Sequence, residues 1–308
     1  MSFLYKADPV RGARWAERFA EQAPDIDFRI WPDIGDASRV EYLATWVPPQ
    51  DMARQFPNLK AVFSTGAGVD QIDFSQVPAH VPIVRMLEPA IADHMVEYVV
   101  HAVLTVHREF GEYGVDQREG RWQVRPNRLA RDIRVGVLGL GQLARAVLSR
   151  LRLFDYSCAG WSRSAHHIEG VACFSGEAGL EALLARSDIL VCLLPLTPQT
   201  RGILGAELLG RLPAGASLVQ TGRGAHLDQQ ALLDLLDTGH LRWAFLDVTE
   251  PEPLPPDHPL WRHPRVRITP HIASSTNPDT AVTAVLENLA RLRRGERLDG
   301  EVDRERGY

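Results

Sequence analysis

Short apolar runs alternate with stretches whose apolar residues recur every three or four positions, and this alternation predicts an α/β chain. Ala61-Val62-Phe63-Ser64 is a strand-like run that ends in a glycine turn, Gly66-Ala67-Gly68, and Val81-Pro82-Ile83-Val84 is a second short strand. From Ala92 to about Glu119 the pattern is helical, with Met95, Val99, Ala102, Val103 and Val106 on one face. A loop over Arg121–Ala130, containing Pro126 and Asn127, follows it. The rhythm then becomes strict. Strands Val135–Leu138, Ser157–Trp161, Ile189–Leu194, Ser217–Gln220 and Trp243–Val248 are separated by helices. The helices run to near Phe154, then over Gly179–Ala185, Ala206–Arg211 and Gln229–Thr238. A Pro-rich loop, Glu250–Pro259, precedes strand Val266–Thr269 and a closing helix, Pro278–Arg294, with Val282, Val285, Leu286 and Leu289 on one face. Apolar β runs separated by helices indicate βαβ units and a parallel sheet covered on both sides.

The chain has 308 residues, enough for two domains. A formal net charge of −5 argues against a nucleic-acid binder, which carries a basic stripe. The start, Met1-Ser2-Phe3-Leu4-Tyr5-Lys6, lacks the form of a targeting signal, and the apolar run Ile189–Leu194 is too short to span a bilayer. Cys158, Cys173 and Cys192 cannot all pair and form no CxxC or Cys/His cluster, so a reducing, cytoplasmic location is expected. His166-His167 has no third ligand at metal spacing, and no metal site is expected.

Candidate chemistry begins at Arg134–Ala144, where Gly139, Gly141 and Ala144 stand in GxGxxA spacing between a strand and a helix. The first glycine permits the tight turn, the second lets backbone approach a pyrophosphate, and the small third residue lets the helix pack closely. The helix start offers N–H groups and positive dipole to the phosphates. The alternative is a glycine-rich turn without a ligand. An NAD-type site carries an acidic residue at the end of the next strand for the ribose hydroxyl. Here Trp161-Ser162-Arg163-Ser164 stands instead, so Arg163, assisted by Ser162 or Ser164, suits a 2′-phosphate and NADP(H). An exposed surface arginine is the rival reading.

Three further segments end strands of the expected parallel sheet, where open α/β folds bind ligands. They are Leu218-Val219-Gln220-Thr221-Gly222-Arg223-Gly224, Asp247-Val248-Thr249-Glu250-Pro251-Glu252-Pro253-Leu254 and Thr269-Pro270-His271-Ile272-Ala273. An Arg, a Glu and a His in that order resemble the D-isomer-specific 2-hydroxyacid dehydrogenase family over nearly the whole chain. Trp46-Val47-Pro48-Pro49, Trp161–Ser164, Pro259-Leu260-Trp261 and Val302–Tyr308 resemble its NADPH-dependent glyoxylate/hydroxypyruvate reductases of the A type. One departure is Thr221-Gly222, where the family usually has a small polar residue and Ala.

The resemblance implies a nicotinamide-dependent oxidoreductase with two Rossmann-like domains, parallel doubly wound sheets and an interdomain active-site cleft. Residues 1–97 and 278–308 would form a discontinuous substrate domain around a cofactor domain over 98–277. His271 would donate the proton, since an imidazole titrates near ~6.5. Glu252 would hold its ring, with Glu250 as competitor, and Arg223 would pair with the substrate carboxylate and polarise the carbonyl. Each has a bland reading: a turn histidine, a capping arginine. Cofactor contacts are implied at Gln142, Leu143, Pro195, Thr221, Gly222 and Asp247 besides the two glycines.

On the substrate side, Ser64–Asp70 resembles the family loop whose amides receive the carboxylate, with Gly66, Ala67, Gly68 and Val69 as contacts. Trp46 is either the wall of a small pocket or a core residue, and Met86-Leu87-Glu88 is expected at the hinge of the cleft. Asp93, His94 and Glu97 read as a solvated helix start. The implied partners are a small 2-oxo acid and, by analogy, a second copy of the chain through the long helix. Two rivals stand beside this reading: the same chemistry on another small 2-oxo acid, and a dinucleotide-sensing binding protein without turnover.

Overall fold

The computed structural model describes residues 1–307, and the chain divides into two units, Met1–Ile91 with Ser275 onward, and Ala92–Ser274. Tyr308, the last residue of the C-terminal motif, lies outside the described residues. The first unit opens with β1 (Ser2–Lys6), α1 (Pro9–Gln22), β2 (Asp27–Ile30), β3 (Val40–Thr45), α2 (Met52–Gln55), β4 (Ala61–Ser64) and β5 (Ile83–Val84). Its sheet runs β2-β1-β3-β4-β5, and every pairing is parallel. Asp8 starts α1 by accepting from the Arg11 amide at 2.8 Å, and Pro9 suits the first helical position because its missing N–H is not needed there. Trp15 and Phe19, four residues apart on α1, are buried against Phe3, whose ring centroid lies 4.8 Å from that of Phe19.

The second unit follows with α3 (Pro89–His107), which begins just before the division, and α4 (Phe110–Arg118). Then come β6 (Arg134–Leu138), α5 (Gln142–Arg152), β7 (Ser157–Ser162), β8 (Ala172–Ser175), α6 (Gly176–Ala185) and β9 (Ile189–Cys192). α7 (Ala206–Gly210), β10 (Ala216–Gln220), α8 (Gln229–Asp237), β11 (Leu241–Leu246) and β12 (Val266–Ile268) complete it. The chain then returns to the first unit as α9 (Pro278–Arg293). The seven strands run β12-β11-β10-β9-β6-β7-β8, all parallel. Both sheets are therefore Rossmann-like and doubly wound, and the larger one reverses its strand order between β6 and β9.

Three expectations change. The helix expected over 92–119 is two helices, because Glu109 takes a left-handed conformation at φ 57° and redirects the chain. α4 then lies on Trp243, close enough that a Cβ on Gly111 would meet its ring, and Trp243 Nε1 donates to Glu112 at 2.8 Å. β8 was not expected, because as an edge strand with no fully buried residue it lacks an apolar run. The divisions fall at 91/92 and 274/275 rather than 97/98 and 277/278. The cause is packing: Met95, Val99, Ala102, Val103 and Val106 of α3 join the core of the second unit.

Cys158 and Cys192 sit in β7 and β9, where burial pushes their thiols up to about 11 and about 12, so both are poor nucleophiles. No helix of the described residues is long and apolar enough to cross a membrane.

Candidate active site

The phosphate turn leaves β6 at the point where the strand order reverses. Gly139 has φ 95°, and a Cβ there would lie 2.8 Å from the Leu193 carbonyl oxygen, so only glycine fits. A Cβ on Gly141 would meet nothing within 4 Å, which leaves open space beside the start of α5. No side chain caps that start, and Gln142 and Leu143 are its first two residues. Ala144 is buried under it. This arrangement fits a pyrophosphate: an uncapped helix start with an unobstructed approach. At the end of β7, Ser162 Oγ donates to the Ser164 carbonyl at 2.7 Å, and the exposed Arg163 lies between them in the chain. No carboxylate stands in Trp161–Ser164 to repel a further phosphate.

The three strand-end segments converge within the second unit. His271 Nδ1 lies 2.9 Å from Glu252 Oε2. An ionised carboxylate only accepts, so Nδ1 carries a hydrogen in this contact and Nε2 is the ring's outer nitrogen. Glu252 Oε1 accepts from the Thr249 amide at 3.1 Å, which orients the carboxylate. Burial would raise the Glu252 carboxyl, but the hydrogen bond and charge of His271, the Thr249 amide and the nearby Arg223 charge together hold it below its ordinary value. Glu250 is exposed, and its carbonyl oxygen accepts from Gln229. Of the two acids, Glu252 is the one beside His271.

Arg223 follows β10 and is anchored through its backbone. Its amide donates to His226 Nδ1 at 3.0 Å, and its carbonyl accepts from Gln220 Nε2 at 2.8 Å. Its guanidinium donates to the Gly222 carbonyl at 2.8 Å. With Nδ1 of His226 accepting, Nε2 carries the hydrogen toward the Pro195 carbonyl, 3.3 Å away. Buried Gln220 and His226 thus tie together three expected contact positions, Pro195, Gly222 and Arg223. Neither was singled out from sequence. Their partners are set by chain crossings, although Gln220 could have been noticed as a polar residue closing an apolar strand. Thr221 Oγ1 donates to the Cys192 carbonyl at 3.1 Å, so its hydroxyl braces the neighbouring strand end. The Asp247 carboxylate accepts from the amides of Ile272 and Ala273 at 2.8 and 2.9 Å. It therefore organises the His271 turn.

In the first unit, the loop after β4 is pinned by its own polar groups. Ser64 Oγ donates to the Gly68 carbonyl at 2.7 Å, and Gln71 Nε2 reaches both at 3.2 and 3.3 Å. Gly66, Ala67 and Gly68 are partly exposed, whereas the Val69 side chain is 3% exposed and belongs to the core. Val69 can contribute only its backbone to a ligand. Trp46 directly follows β3, and a Cβ on Gly66 would come within 2.9 Å of its ring. The indole is partly exposed and lies against the loop, so Trp46 is not a plain core residue. Glu88 is buried and accepts from the Ala90 and Asn277 amides at 2.8 and 2.9 Å and from Thr280 Oγ1 at 2.6 Å. It fastens the starts of α3 and α9. Asp93, Glu97, His166 and His167 are exposed, and no metal-binding group of His, Cys, Asp or Glu is found among the described residues.

A family profile described as D-isomer specific 2-hydroxyacid dehydrogenase, NAD binding domain, matches residues 100–273. Among solved structures, a D-isomer specific 2-hydroxyacid dehydrogenase from Xanthobacter autotrophicus in complex with NADPH and MES is 40% identical, covers 99% of each chain and superposes with a TM-score of 0.94. An NADPH-dependent glyoxylate/hydroxypyruvate reductase from Sinorhizobium meliloti, in complex with NADP and sulfate, is 33% identical over 100% of both chains, with a TM-score of 0.93. A probable 2-hydroxyacid dehydrogenase from Rhizobium etli, bound to NADP, HEPES and L(+)-tartaric acid, is 34% identical over 100% of this chain and 99% of that one, with a TM-score of 0.92. With the profile spanning the unit that holds Arg223, Glu252 and His271, the chain belongs to the D-isomer specific 2-hydroxyacid dehydrogenase family, a family of NAD(P)-dependent oxidoreductases.

Proposed function

We propose that this chain reduces glyoxylate and hydroxypyruvate to glycolate and D-glycerate with NADPH. The observation that carries the reading is the 2.9 Å contact between His271 Nδ1 and Glu252, which leaves Nε2 as the outer nitrogen of an oriented acid. Arg223 pairs with the carboxylate of the 2-oxo acid and polarises its carbonyl, for which a planar fork of donors is suited. In the first unit, the backbone amides of Gly66, Ala67, Gly68 and Val69 would receive a carboxylate. Trp46 narrows the space above that loop, which favours small acids over bulky ones. When bound, NADPH supplies the hydride that adds to the carbonyl carbon. As negative charge develops on the carbonyl oxygen, His271 Nε2 gives up its proton to that oxygen. Glu252 stabilises the charged ring before transfer and fixes its orientation throughout.

The turn Gly139–Leu143 would hold the pyrophosphate, and Ser162, Arg163 and Ser164 the 2′-phosphate. Pro195, Thr221, Gly222 and Asp247 would line the nicotinamide end. Three unpaired cysteines fit a reducing, cytoplasmic setting. A homodimer belongs to the same reading. Its support is family analogy and the exposed Phe110, Trp122, Val124 and Leu129, and sedimentation velocity decides it.

Cofactor choice is the first test. With glyoxylate as substrate, NADPH should be used at a higher kcat/KM than NADH. Arg163→Ala should raise the KM for NADPH by roughly ten- to a hundredfold, the worth of a charge-assisted hydrogen bond, and leave the KM for NADH within about twofold. A parent enzyme that prefers NADH would sink the cofactor assignment.

A further inference from the structure

His271 has φ 55°, the left-handed region that a residue with a Cβ adopts only where its surroundings hold it. Several holding contacts lie on the turn and its neighbours. The His271 amide donates to the carbonyls of Asp247 at 2.8 Å and Thr269 at 3.0 Å. The Asp247 carboxylate takes the next two amides, and Oδ1 also accepts from Thr269 Oγ1 at 2.8 Å. One more group touches this assembly. Tyr98, on α3, places its phenol oxygen 2.7 Å from Thr269 Oγ1.

The direction of that last bond follows from proton counting. A threonine hydroxyl has one hydrogen, and here Asp247 receives it. Tyr98 must therefore be the donor to Thr269. Burial pushes the Tyr98 phenol up to about 12, with the nearby Asp247 charge acting in the same direction and the Thr269 contact opposing it, so the hydrogen is retained at any working pH. The result is an ordered chain from Tyr98 to Thr269 to Asp247 to the amides around His271. Tyr98 is separated from Thr269 by 171 positions and rides on a helix whose Met95 and Val99 are buried in the same core.

We propose that Tyr98 is a positioning residue for the proton-donating turn, holding His271 in its strained conformation through Thr269 and Asp247. The inference rests on His271 being the proton donor. Loss of the phenol hydrogen frees the Thr269 hydroxyl to turn, removes one anchor from Asp247 and lets the turn relax. The ring then samples orientations in which Nε2 no longer points at the reacting oxygen, which lowers kcat more than it alters binding.

The test compares Tyr98→Phe, Thr269→Val, the double variant and His271→Ala for kcat, NADPH KM and Tm. Tyr98→Phe is isosteric, and it should lower kcat about tenfold while NADPH KM stays within about twofold and Tm nearly unchanged. Thr269→Val should lower kcat at least as much, and the double variant no further than Thr269→Val alone, because both cut one chain. A Tyr98→Phe kcat within about twofold of the parent, a fall in Tm without a fall in kcat, or losses that multiply in the double variant would each overturn the proposal. His271→Ala separates the two levels. If it keeps turnover, the donor assignment fails and this inference with it; if it is inert while Tyr98→Phe is normal, only the role of Tyr98 falls.

Discussion

Replacing His271 with alanine is expected to lower kcat for 2-oxo acid reduction by about three orders of magnitude, within the range that a positioned general acid contributes. NADPH affinity, read from quenching of protein fluorescence, should change by only a few-fold, because the phosphate turn and the end of β7 are untouched. The size of the effect follows from the geometry. Nδ1 is committed to Glu252 at 2.9 Å, which holds the ring in place and makes Nε2 the nitrogen proposed to serve the substrate. Glu252→Gln tests the same pair through pH. Glu252 sits below its ordinary carboxyl value, so its ionised contact with the ring is complete above the ordinary carboxylate range and is lost only as pH falls through the lowered value. The parent should therefore keep its rate through mildly acid pH. Glutamine carries no charge and does not titrate, so the loss of rate that the parent shows as pH falls through the lowered Glu252 value should be absent from the glutamine variant. The same acid loss in both enzymes would mean that Glu252 only buttresses the turn.

Arg223→Lys should cost about two orders of magnitude in kcat/KM, and Arg223→Ala about three. Lysine keeps the charge but replaces a planar fork with a single ammonium, and it cannot contact a carboxylate and a carbonyl oxygen in a fixed relation. The backbone of this position is held by Gln220 and His226, so either substitution removes the guanidinium without freeing the turn. Both variants should melt within a few degrees of the parent. A lysine variant with half the parental kcat/KM would show that charge alone suffices and that the fork orients nothing.

The parts of this molecule that were legible in the sequence are those set by local periodicity and by spacing. Gly139, Gly141 and Ala144 announced a phosphate turn by their spacing, and at Gly139 the structure displays the steric demand directly, whereas Gly141 borders open space. The parallel strands of the larger unit were readable because burial on both faces leaves near-continuous apolar runs, as in Ile189–Cys192. β8 escaped notice because an edge strand carries no such run. The break at Glu109 carries no local signal either, since the chain turns there to lay Gly111 on Trp243, far along the sequence. The same distinction divides the site. Arg223, Glu252 and His271 could be named from their order after strands and the family likeness that this order carries, but Gln220, His226 and Tyr98 act through partners that only the fold brings near. Val69 adds a distinction that the motif does not make: its side chain belongs to the core, and only its backbone faces the loop's proposed role.

One assay separates these outcomes: NADPH oxidation by the purified chain with glyoxylate, hydroxypyruvate and pyruvate side by side. Turnover is expected with the first two, each at a kcat/KM at least about tenfold above pyruvate, the gap expected when a small pocket excludes a group. Equal or better turnover of pyruvate would contradict the substrate assignment, and NADPH binding with no turnover of any of the three would contradict the catalytic reading itself.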